Sequence, residues 1–566
     1  MNKKFLMRMT AILFALSVFG TVGCGGGGNG GDDITVVRDP SDTNDYVMNE
    51  LTTMETALSW NADWYPSKYD AQNNPIYDLY ETAVNVKMVN KFALNFEGYE
   101  QQITAGIITG DLPDVFYVNN KMLDELIRND LLVDLKPYYE QWGTEALKNT
   151  LEYNENNFAY STRNGKIYGI PKVTDDCDRA TVWARKDWIA NINARNNTGK
   201  TIWDTENNLR YHVDGPKSLD EYWDMAYAFA KEDPDGNGKN DTYGISISKG
   251  LDATVLPIFN AYGAYPTTFR QNEDGAWENL GISDAMKAPL QKLAQCVQDG
   301  VINSDYINWA SEDAWSKAAS GYAGLVCGPA YLPTWPLSNT LAYDGDWVAS
   351  PMYAQDGEEF IQSRSLNVSG YYVVVKGYEH PEALIKILNN LATSDETNAW
   401  YQGYITASEP AENSSIFNWM PISIDRSTVN FERHTAFMHA LGAYESTGEF
   451  DISMIEARDM VRWNQVKNYY LYQVDGGWAM YKTFYEGVTI AKAYTNEGIY
   501  NDWVYPDTTT MKARGTSLDT MTAQTRAKII AGKLDISAFD DYVNDWLDGG
   551  GRKILSEMKS YVNSLK

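Results

Sequence analysis

Short apolar runs alternate along the chain with longer segments in which apolar residues recur every three or four positions. The short runs predict buried strands, and the longer segments predict amphipathic helices. Ser218 stands directly before one helical segment and is a candidate N-cap. The predicted strands cover 56–60, 93–96, 115–118, 167–171, 181–184 and 371–375, and the predicted helices cover 75–92, 99–108, 121–128, 219–231, 381–392, 520–531 and 536–547. Strands that alternate with helices predict an α/β fold with a mostly parallel sheet.

The length of the chain, 566 residues, exceeds what one hydrophobic core usually organises. We therefore expect at least two lobes. A polar and aromatic loop, 61–66, follows the first predicted strand. Because ligands favour the carboxyl ends of strands in α/β sheets, this loop is a candidate contact region.

The N-terminal 23 residues have the pattern of a secretion signal. Basic residues precede an apolar run, 9–20, of about twelve residues, which is too short to cross a bilayer as a permanent helix. Cys24 follows small residues and resembles the lipidated cysteine of bacterial lipoproteins, although Thr21 stands where leucine is usual. We expect cleavage before Cys24 and lipidation of its thiol, with simple secretion as the alternative. The glycine-rich segment within 24–50 predicts a flexible tether.

The net charge argues against one class of partner, and the histidine and cysteine content argues against a transition-metal site and a disulfide framework. The formal net charge of −29 falls to about −32 when the three basic residues of the signal are removed, which argues against nucleic acid as a partner. The four histidines lack the spacing of zinc ligands, so a transition-metal site is not expected. The cysteines after the anchor, Cys177, Cys296 and Cys327, form no disulfide framework and are either buried thiols or at most one bridged pair.

The aromatic content points to a specific ligand. The chain has 18 Trp and 39 Tyr, and several of them stand beside turn residues rather than within an apolar period. A flat amphipathic ring can stack on the apolar face of a sugar while nearby polar side chains bind its hydroxyls. The composition therefore favours carbohydrate binding. For any single ring, packing in the core is the alternative.

Segment 233–244 has the ligand spacing of an EF-hand loop. Oxygen side chains stand at loop positions one, three, five and nine, a glycine stands at six, and position seven offers its backbone carbonyl. Gly244 replaces the bidentate glutamate of position twelve, so bidentate Asp241, water or a distant carboxylate must complete the shell. A metal-free loop of Asx turns is the alternative. The predicted Ca²⁺ ligands are Asp233, Asp235, Asn237, Lys239 and Asp241.

Four further segments, in this order, resemble the extracellular solute-binding proteins of bacterial ABC importers. They are Gly-Asp-Leu-Pro-Asp-Val at 110–115, Asn-Gly-Lys-Ile-Tyr-Gly-Ile-Pro at 164–171, Trp-Ala-Arg-Lys-Asp-Trp at 183–188 and Gly-Tyr-Glu-His-Pro-Glu-Ala at 377–383. The resemblance covers roughly residues 50–566 and is closest to the sugar-binding family 1 branch of the type II periplasmic-binding-protein fold.

That resemblance implies two α/β lobes joined by a hinge, with the solute in the cleft between them. The first lobe is expected to comprise 53–170 and 376–411, and the second 171–375 and 412–566, including the calcium loop, whose role is then structural. The expected function is to bind an oligosaccharide, close around it and deliver it intact to ABC permease subunits. The expected form is a monomer held by Cys24 at the extracellular face of the cytoplasmic membrane.

The expected ligand contacts are side chains at the ends of strands and in loops that face the hinge. Rings are expected to stack on sugars, arginines to donate to hydroxyls, and carboxylates to accept from them. These residues are Trp60, Asp63, Trp64, Tyr65, Asp111, Asn119, Trp183, Arg185, Tyr331, Trp335, Arg364, Tyr371, Trp419, Trp463 and Trp478.

Other functions stay open from the sequence. An oligopeptide also suits a wide aromatic cleft, and Arg185 and Arg364 suit an oligomer of uronates. A surface lipoprotein that senses its ligand is a further alternative. A glycoside hydrolase needs a carboxylate pair, and with 76 acidic residues such a pair is easy to find. No hydrolase signature or nucleophile elbow is present, so we expect no enzymatic activity.

Overall fold

The computed structural model describes residues 38–60, 68–177, 181–408, 419–494 and 498–564. The predicted signal peptide, Cys24 and most of the predicted tether lie outside these ranges, as do Asp63, Trp64 and Tyr65. All elements below belong to one compact unit, Asp39–Lys566. Within the described ranges, no helix combines the length and the apolar character that a bilayer crossing requires.

The chain forms strands mainly in its first two thirds and helices throughout. The strands are β1 Thr52–Ser59, β2 Val86–Leu94, β3 Val115–Val118, β4 Thr162–Arg163, β5 Lys166–Ile167, β6 Ile170–Val173, β7 Thr181–Arg185, β8 Tyr243–Ser246, β9 Phe269–Gln271, β10 Trp277–Asn279, β11 Ala323–Gly328, β12 Trp347–Ser350, β13 Gln362–Arg364, β14 Val368–Val374 and β15 Gly498–Tyr500. The α-helices are α1 Pro75–Leu79, α2 Phe96–Thr109, α3 Asn120–Arg128, α4 Lys136–Trp142, α5 Glu145–Leu151, α6 Lys186–Asn193, α7 Leu219–Lys231, α8 Leu256–Ala261, α9 Lys287–Gln298, α10 Ser311–Ala319, α11 Glu382–Ala392, α12 Ala399–Ser408, α13 Val429–Thr447, α14 Met460–Tyr472, α15 Asp475–Tyr481, α16 Val488–Ala493, α17 Thr509–Ile530, α18 Ala538–Trp546 and α19 Arg552–Ser564.

Two groups of strands form the centres of two hydrophobic cores. In the first group, β14 is hydrogen-bonded between β3 and β6, antiparallel to both, and the parallel pair β1 and β2 lies beside it. Glu55 links the pair to β3, because its backbone N–H donates to Asp114 at 2.8 Å. In the second group the strand order is β12-β7-β11-β8. Helices α7, α9 and α17–α19 cover the second group and share its core.

Several predicted elements form as expected. Strand β3 and helix α7 have the predicted bounds, and Ser218 caps α7 by accepting from the N–H of Glu221. The helix predicted over 520–531 is the last part of the longer α17, and α11 begins one residue after the predicted start, with Pro381 as its N-cap.

The prediction of one helix over 75–92 was wrong, as was the strand over 93–96. The helix ends after a π-helical turn, Tyr80–Val84, because Asn85 adopts a left-handed conformation with φ of 63°. The chain then enters β2, which pairs with β1 over its length. Helix α1 and strand β2 therefore occupy the segment that the apolar spacing assigned to one helix.

The grouping of 171–375 with the second lobe also needs correction. Strand β14 pairs with β3 through Tyr371 and Val118, and with β6 through Val368 and Val173. Because a backbone ladder joins these strands, β14 and the end of β6 lie in the first group.

Candidate functional site

In each group of strands, the ends from which the connecting segments leave lie on one edge. In the first group, the ends of β3 and β6 lie on the same edge as the start of β14. Tyr371 is opposite Val118, and Val368 is opposite Val173. In the second group β7 begins where β11 and β12 end, since Gly328 is opposite Thr181 and Ser350 is opposite Val182. The segments between the groups leave from these edges.

Two of the connecting segments run side by side. The N–H of Thr174, after β6, donates to the carbonyl of Asn367, before β14, at 2.9 Å. Beyond this bond, Arg364 forms an ion pair with Asp176, and its guanidinium lies 4.8 Å from the ring centre of Tyr500. Both side chains of the pair are largely buried. The ion pair and the backbone bond tie the two segments together.

A third segment, 419–428, lies against the first. Its Asp425 donates from the backbone to the carbonyl of Val173 at 3.2 Å, and its Ser427 carbonyl accepts from Asp176 at 2.8 Å. The hydroxyl of Tyr372, in β14, bonds to the backbone of Ser423. The chain therefore connects the two groups of elements through at least three neighbouring segments.

Asp175 joins the first and third segments through its side chain. One carboxylate oxygen accepts from the N–H of Cys177 at 2.7 Å, and the other accepts from the N–H of Asn430, in the first turn of α13, at 2.9 Å. Burial raises the pKa of this carboxyl to about 7, although these N–H donors act in the opposite direction. Asp175, whose ionised form is destabilised by burial, therefore lies at the connection between the two groups.

A cavity of about 510 Å³ lies between the two groups. Lys121, Asp124 and Arg128 of α3 line one wall, and the first half of α17 lines the opposite wall. Phe269, Asn501, Trp503 and Asp507 also line it. The cavity therefore has polar groups of both signs beside aromatic rings.

An ion pair connects the two walls. Nζ of Lys512, in α17, lies 2.8 Å from Oδ2 of Asp124, in α3. Asp124 also pairs with Arg163 at 2.9 Å. Burial and the neighbouring Asp124 raise the pKa of Asp507. The Lys512 to Asp124 contact requires the two walls to be close together, because it joins helices from different groups.

The 233–244 loop gathers three carboxylates beside an amide. Nδ2 of Asn237 donates to Asp235 at 2.8 Å and to Asp241 at 3.1 Å. Burial, together with the charges of Asp233 and Asp241, raises the pKa of Asp235. Oδ1 of Asp233 is enclosed and has no hydrogen-bond partner among the described residues. In the described part of the chain, no group of three or more His, Cys, Asp or Glu side chains is arranged to hold a metal ion.

Packing explains why loop position twelve carries no side chain. Gly244 begins the buried part of β8, and a Cβ atom there would lie 2.1 Å from the carbonyl oxygen of Ala226. A glutamate at this position is therefore excluded by the contact between β8 and α7.

The family of the chain is shown by a sequence comparison. A family model described as bacterial extracellular solute-binding protein matches residues 76–419, more than half of the 566 residues. The chain belongs to the bacterial extracellular solute-binding proteins.

Two curated relatives of this solute-binding protein come from Bacillus subtilis (strain 168). Lipoprotein LipO is 22% identical over 486 residues, which are 83% of this chain and 85% of LipO. The polygalacturonan/rhamnogalacturonan-binding protein YtcQ is 23% identical over 232 residues, 40% of this chain and 41% of YtcQ.

Solved structures of similar proteins share the fold. The S. pneumoniae ABC-transporter substrate-binding protein FusA, in complex with kestose, aligns with a TM-score of 0.59 at 14% identity and covers 91% of this chain and 99% of its own. The alginate-binding protein AlgQ2, without calcium ion, aligns with a TM-score of 0.56 at 14% identity over the same shares. At this identity the likeness establishes the type II periplasmic-binding-protein fold with two lobes.

Within this solute-binding protein, some of the predicted contact residues are accessible. Tyr331 and Trp335 follow β11 and are 43% and 48% exposed. Trp60 follows β1 and is half-buried, and Asn119 caps α3 at the edge where β3 ends. Asp111 is exposed, but it precedes β3 and pairs with Lys91 at 2.7 Å, so it lies at the opposite end of that strand.

The other described candidates lie in packed or paired positions in this structure. Arg185 forms two hydrogen bonds with Asp187 and lies over the rings of Trp188 and Trp347. Arg364 lies in the ion pair with Asp176 described above. The side chains buried to 3% exposure or less are Trp183, Tyr371, Trp419, Trp463 and Trp478. The described conformation therefore leaves these five rings almost no surface for a ligand.

The residues that form the walls of the cavity carry little signal in the sequence. Lys121 and Asp124 were not distinguished from other charged residues of a surface helix, and Lys512 lies almost 400 positions away in the chain. One local signal was present, because Trp503 stands beside Tyr505 and Pro506 in a turn-rich segment.

Proposed function

We propose that this protein binds an oligosaccharide in the cleft between its lobes and releases it chemically intact to an ABC permease. The observation that carries the proposal is the cavity between α3 and α17, whose walls come from different lobes and meet through Lys512 and Asp124. A ligand held there touches both walls at once and therefore favours the closed state over the open one.

The chemistry of the cavity suits a sugar. Phe269 and Trp503 offer rings, while Asn501, Asp507 and Lys512 offer donors and acceptors for hydroxyls. The relatives support this class, since YtcQ is a polygalacturonan/rhamnogalacturonan-binding protein and FusA was solved in complex with kestose. Trp335 and Tyr331 are proposed to extend the contact surface, together with Trp60 and Trp64.

An acidic oligosaccharide is the second candidate. Lys121, Arg128 and Lys512 line the same cavity and supply positive charge at both walls. The names of YtcQ and AlgQ2 both refer to polymers of uronates. Acidic residues line the cavity as well, so a direct test must distinguish neutral from acidic oligosaccharides.

Closure is proposed to occur about the connecting segments. The first lobe then comprises 53–173 and 368–408, and the second comprises 181–364 and 429–564. The segments around Thr174, Asn367 and Asp425 change their backbone angles while the two lobes move as rigid bodies. The closed form, as a monomer, presents its ligand to the permease. Cys24 is proposed to carry the lipid that holds the protein at the extracellular face of the membrane.

The loop at 233–244 is proposed to hold a structural Ca²⁺. The unpartnered Oδ1 of Asp233 supports this proposal, as does the presence of Asp235 and Asp241 beside it. The three carboxylates would have to turn toward one point to bind the ion, because they do not form such a group in the described conformation. Asn237 would contribute its amide oxygen after a half turn of the amide, and Lys239 its carbonyl. The ion would supply positive charge that neutralises the carboxylates.

Calorimetric titration of the purified protein with neutral and acidic oligosaccharides tests the binding function. Saturable heat with no new reducing ends in the recovered sugar is the expected result, and release of new reducing ends would overturn it in favour of a hydrolase. Phe269→Ala is expected to weaken binding by about 1 kcal/mol or more, roughly fivefold. Phe96→Ala is the matched control, since Phe96 is exposed on α2. If no oligosaccharide binds and peptides do, the proposal is also rejected.

A further inference from the structure

A small cavity of about 40 Å³ lies beside the connecting segment 419–428. Asn390 of α11 and Tyr401 and Tyr404 of α12 line one side of it, and residues of α13 and α14 line another. It shares no lining residue with the 510 Å³ cavity between α3 and α17. About 10 to 15 Å³ of such space holds one water molecule. The small cavity can therefore hold one small ion, but a sugar ring does not fit.

Three arginines line this cavity. Arg433 lies in α13, Arg458 in the turn before α14, and Arg462 in the first turn of α14. Their side chains are 12%, 16% and 34% exposed, so none of them is fully enclosed. Burial and the charge of Arg433 lower the pKa of Arg462, because like charges are crowded together here. The cavity therefore suits an anion.

Protein acceptors bind only part of the three guanidinium groups. Oδ1 of Asp459 accepts from Nε of Arg433 at 2.8 Å and from Nη1 of Arg462 at 3.1 Å. Nε of Arg458 lies 2.7 Å from Glu456. No described residue accepts a hydrogen bond from Nη2 of Arg433, from Nε or Nη2 of Arg462, or from either Nη of Arg458. These nitrogens are available to a further acceptor.

Asp425 lines the same cavity from the connecting segment. Burial raises the pKa of its carboxyl, and the charges of the three arginines act in the opposite direction. Among the described residues, its carboxylate has no hydrogen-bond donor, and no cation forms an ion pair with it. The arginines and this carboxylate thus border one space without contact between them. A ligand that accepts from the arginines and donates to Asp425 would satisfy both.

We propose that this cavity binds a phosphate group, whose oxygens accept from Arg433, Arg458 and Arg462 while its O–H group donates to Asp425. A tetrahedral oxyanion presents acceptors in several directions, whereas a planar carboxylate is matched by a single guanidinium fork. Inorganic phosphate keeps an O–H group near neutral pH and sulfate has none, so Asp425 would favour phosphate and repel sulfate. The bound group would link α12 with α13 and α14. This site is separate from the proposed sugar site and does not depend on it.

Calorimetric titrations with inorganic phosphate, methyl phosphate and sulfate test this assignment. They use the purified protein in a chloride buffer at fixed ionic strength and about pH 6, where a phosphate monoester retains part of its second proton. Arg462→Gln removes the most exposed of the three guanidinium groups. Arg552→Gln is the matched control, because Arg552 is exposed on α19 and does not line the cavity. Asp425→Asn tests the acceptor.

We expect wild type and Arg552→Gln to bind inorganic phosphate roughly tenfold more tightly than sulfate, and Arg462→Gln to lose roughly tenfold in phosphate affinity. Asp425→Asn should bind the two anions about equally, because an amide can donate to either. Binding of methyl phosphate as well would identify a phosphoryl group carried by a larger molecule, and binding of inorganic phosphate alone would identify the free ion.

Three results would each overturn the inference. They are no saturable binding of phosphate by wild type at millimolar concentrations, equal wild-type affinity for phosphate and sulfate, and equal phosphate affinity in Arg462→Gln and Arg552→Gln. If a variant at the cavity does not fold, the wild-type comparison of phosphate with sulfate decides. The sugar titrations are independent of all these results, so the proposed function can stand or fall separately.

Discussion

Replacement of Asp175 by Asn should change how stability depends on pH. Burial raises the pKa of this carboxyl from 3.8 to about 7 in the folded protein, and about three pKa units correspond to on the order of 4 kcal/mol. Because the folded state holds the proton more tightly than the unfolded chain, this contribution is complete below about pH 4 and is lost as the pH rises to about 7. Asn cannot ionise, so the variant avoids this loss.

The Asn side chain of this variant also lowers the free energy of unfolding by an amount that does not depend on pH. One carboxylate oxygen of Asp175 is replaced by an NH₂ group that faces the N–H of Cys177 or Asn430, at a cost of about 1 to 3 kcal/mol. The free energy of unfolding of Asp175→Asn minus that of wild type should therefore begin negative at pH 4.5 and rise by about 3 kcal/mol by pH 8. Urea unfolding followed by tryptophan fluorescence across this range measures the difference, with the exposed Asp541→Asn as control. A difference that stays constant with pH would refute the reasoning.

Three further predictions concern other parts of the molecule. Removal of Ca²⁺ with EDTA should lower Tm in a thermal-shift assay while sugar affinity changes little; an unchanged Tm would reject the calcium site. Lys512→Met should weaken sugar binding about two- to fivefold at low salt and less at 1 M salt, because a half-exposed ion pair contributes at most about 1 kcal/mol. Lys528→Met on the same helix is its control, and an equal loss in calorimetric titrations of both variants would contradict the assignment. Gly324→Ala should destabilise the protein by about 1 to 3 kcal/mol, since its Cβ would lie 2.2 Å from the ring of Phe229. Gly442→Ala, with open space in α13, should stabilise it by about 0.5 to 1 kcal/mol, and urea unfolding that gives both variants the same sign would contradict this account.

Local elements were predictable where a local interaction determines them. Helix α7 has a cap at Ser218 and a regular apolar face, and both are visible in the sequence. Strand β2 was missed because its direction depends on a single left-handed residue, Asn85, and on pairing with β1. The position of β14 depends on hydrogen bonds to β3, more than 240 residues earlier in the chain. Such long-range pairing has no local signal.

The tryptophans show why the contact residues were harder to predict. Trp478 follows two glycines, and Trp183 lies two positions before Arg185, yet each ring is buried. The indole N–H of Trp183 donates to the carbonyl of Pro329, and that of Trp478 donates to the carboxylate of Asp346. A polar partner within the fold therefore accounts for these two rings without a ligand. The cavity walls depend on which helices the fold brings together, so α3 and α17 could be identified only from the structure.

Small-angle X-ray scattering with and without a saturating oligosaccharide tests the central claim most directly. If the lobes close on their ligand, the radius of gyration should decrease at sugar concentrations that calorimetry shows to be saturating, and the recovered sugar should be unchanged. Identical scattering profiles at full saturation would contradict closure around the ligand, and a shortened sugar would contradict a binding function.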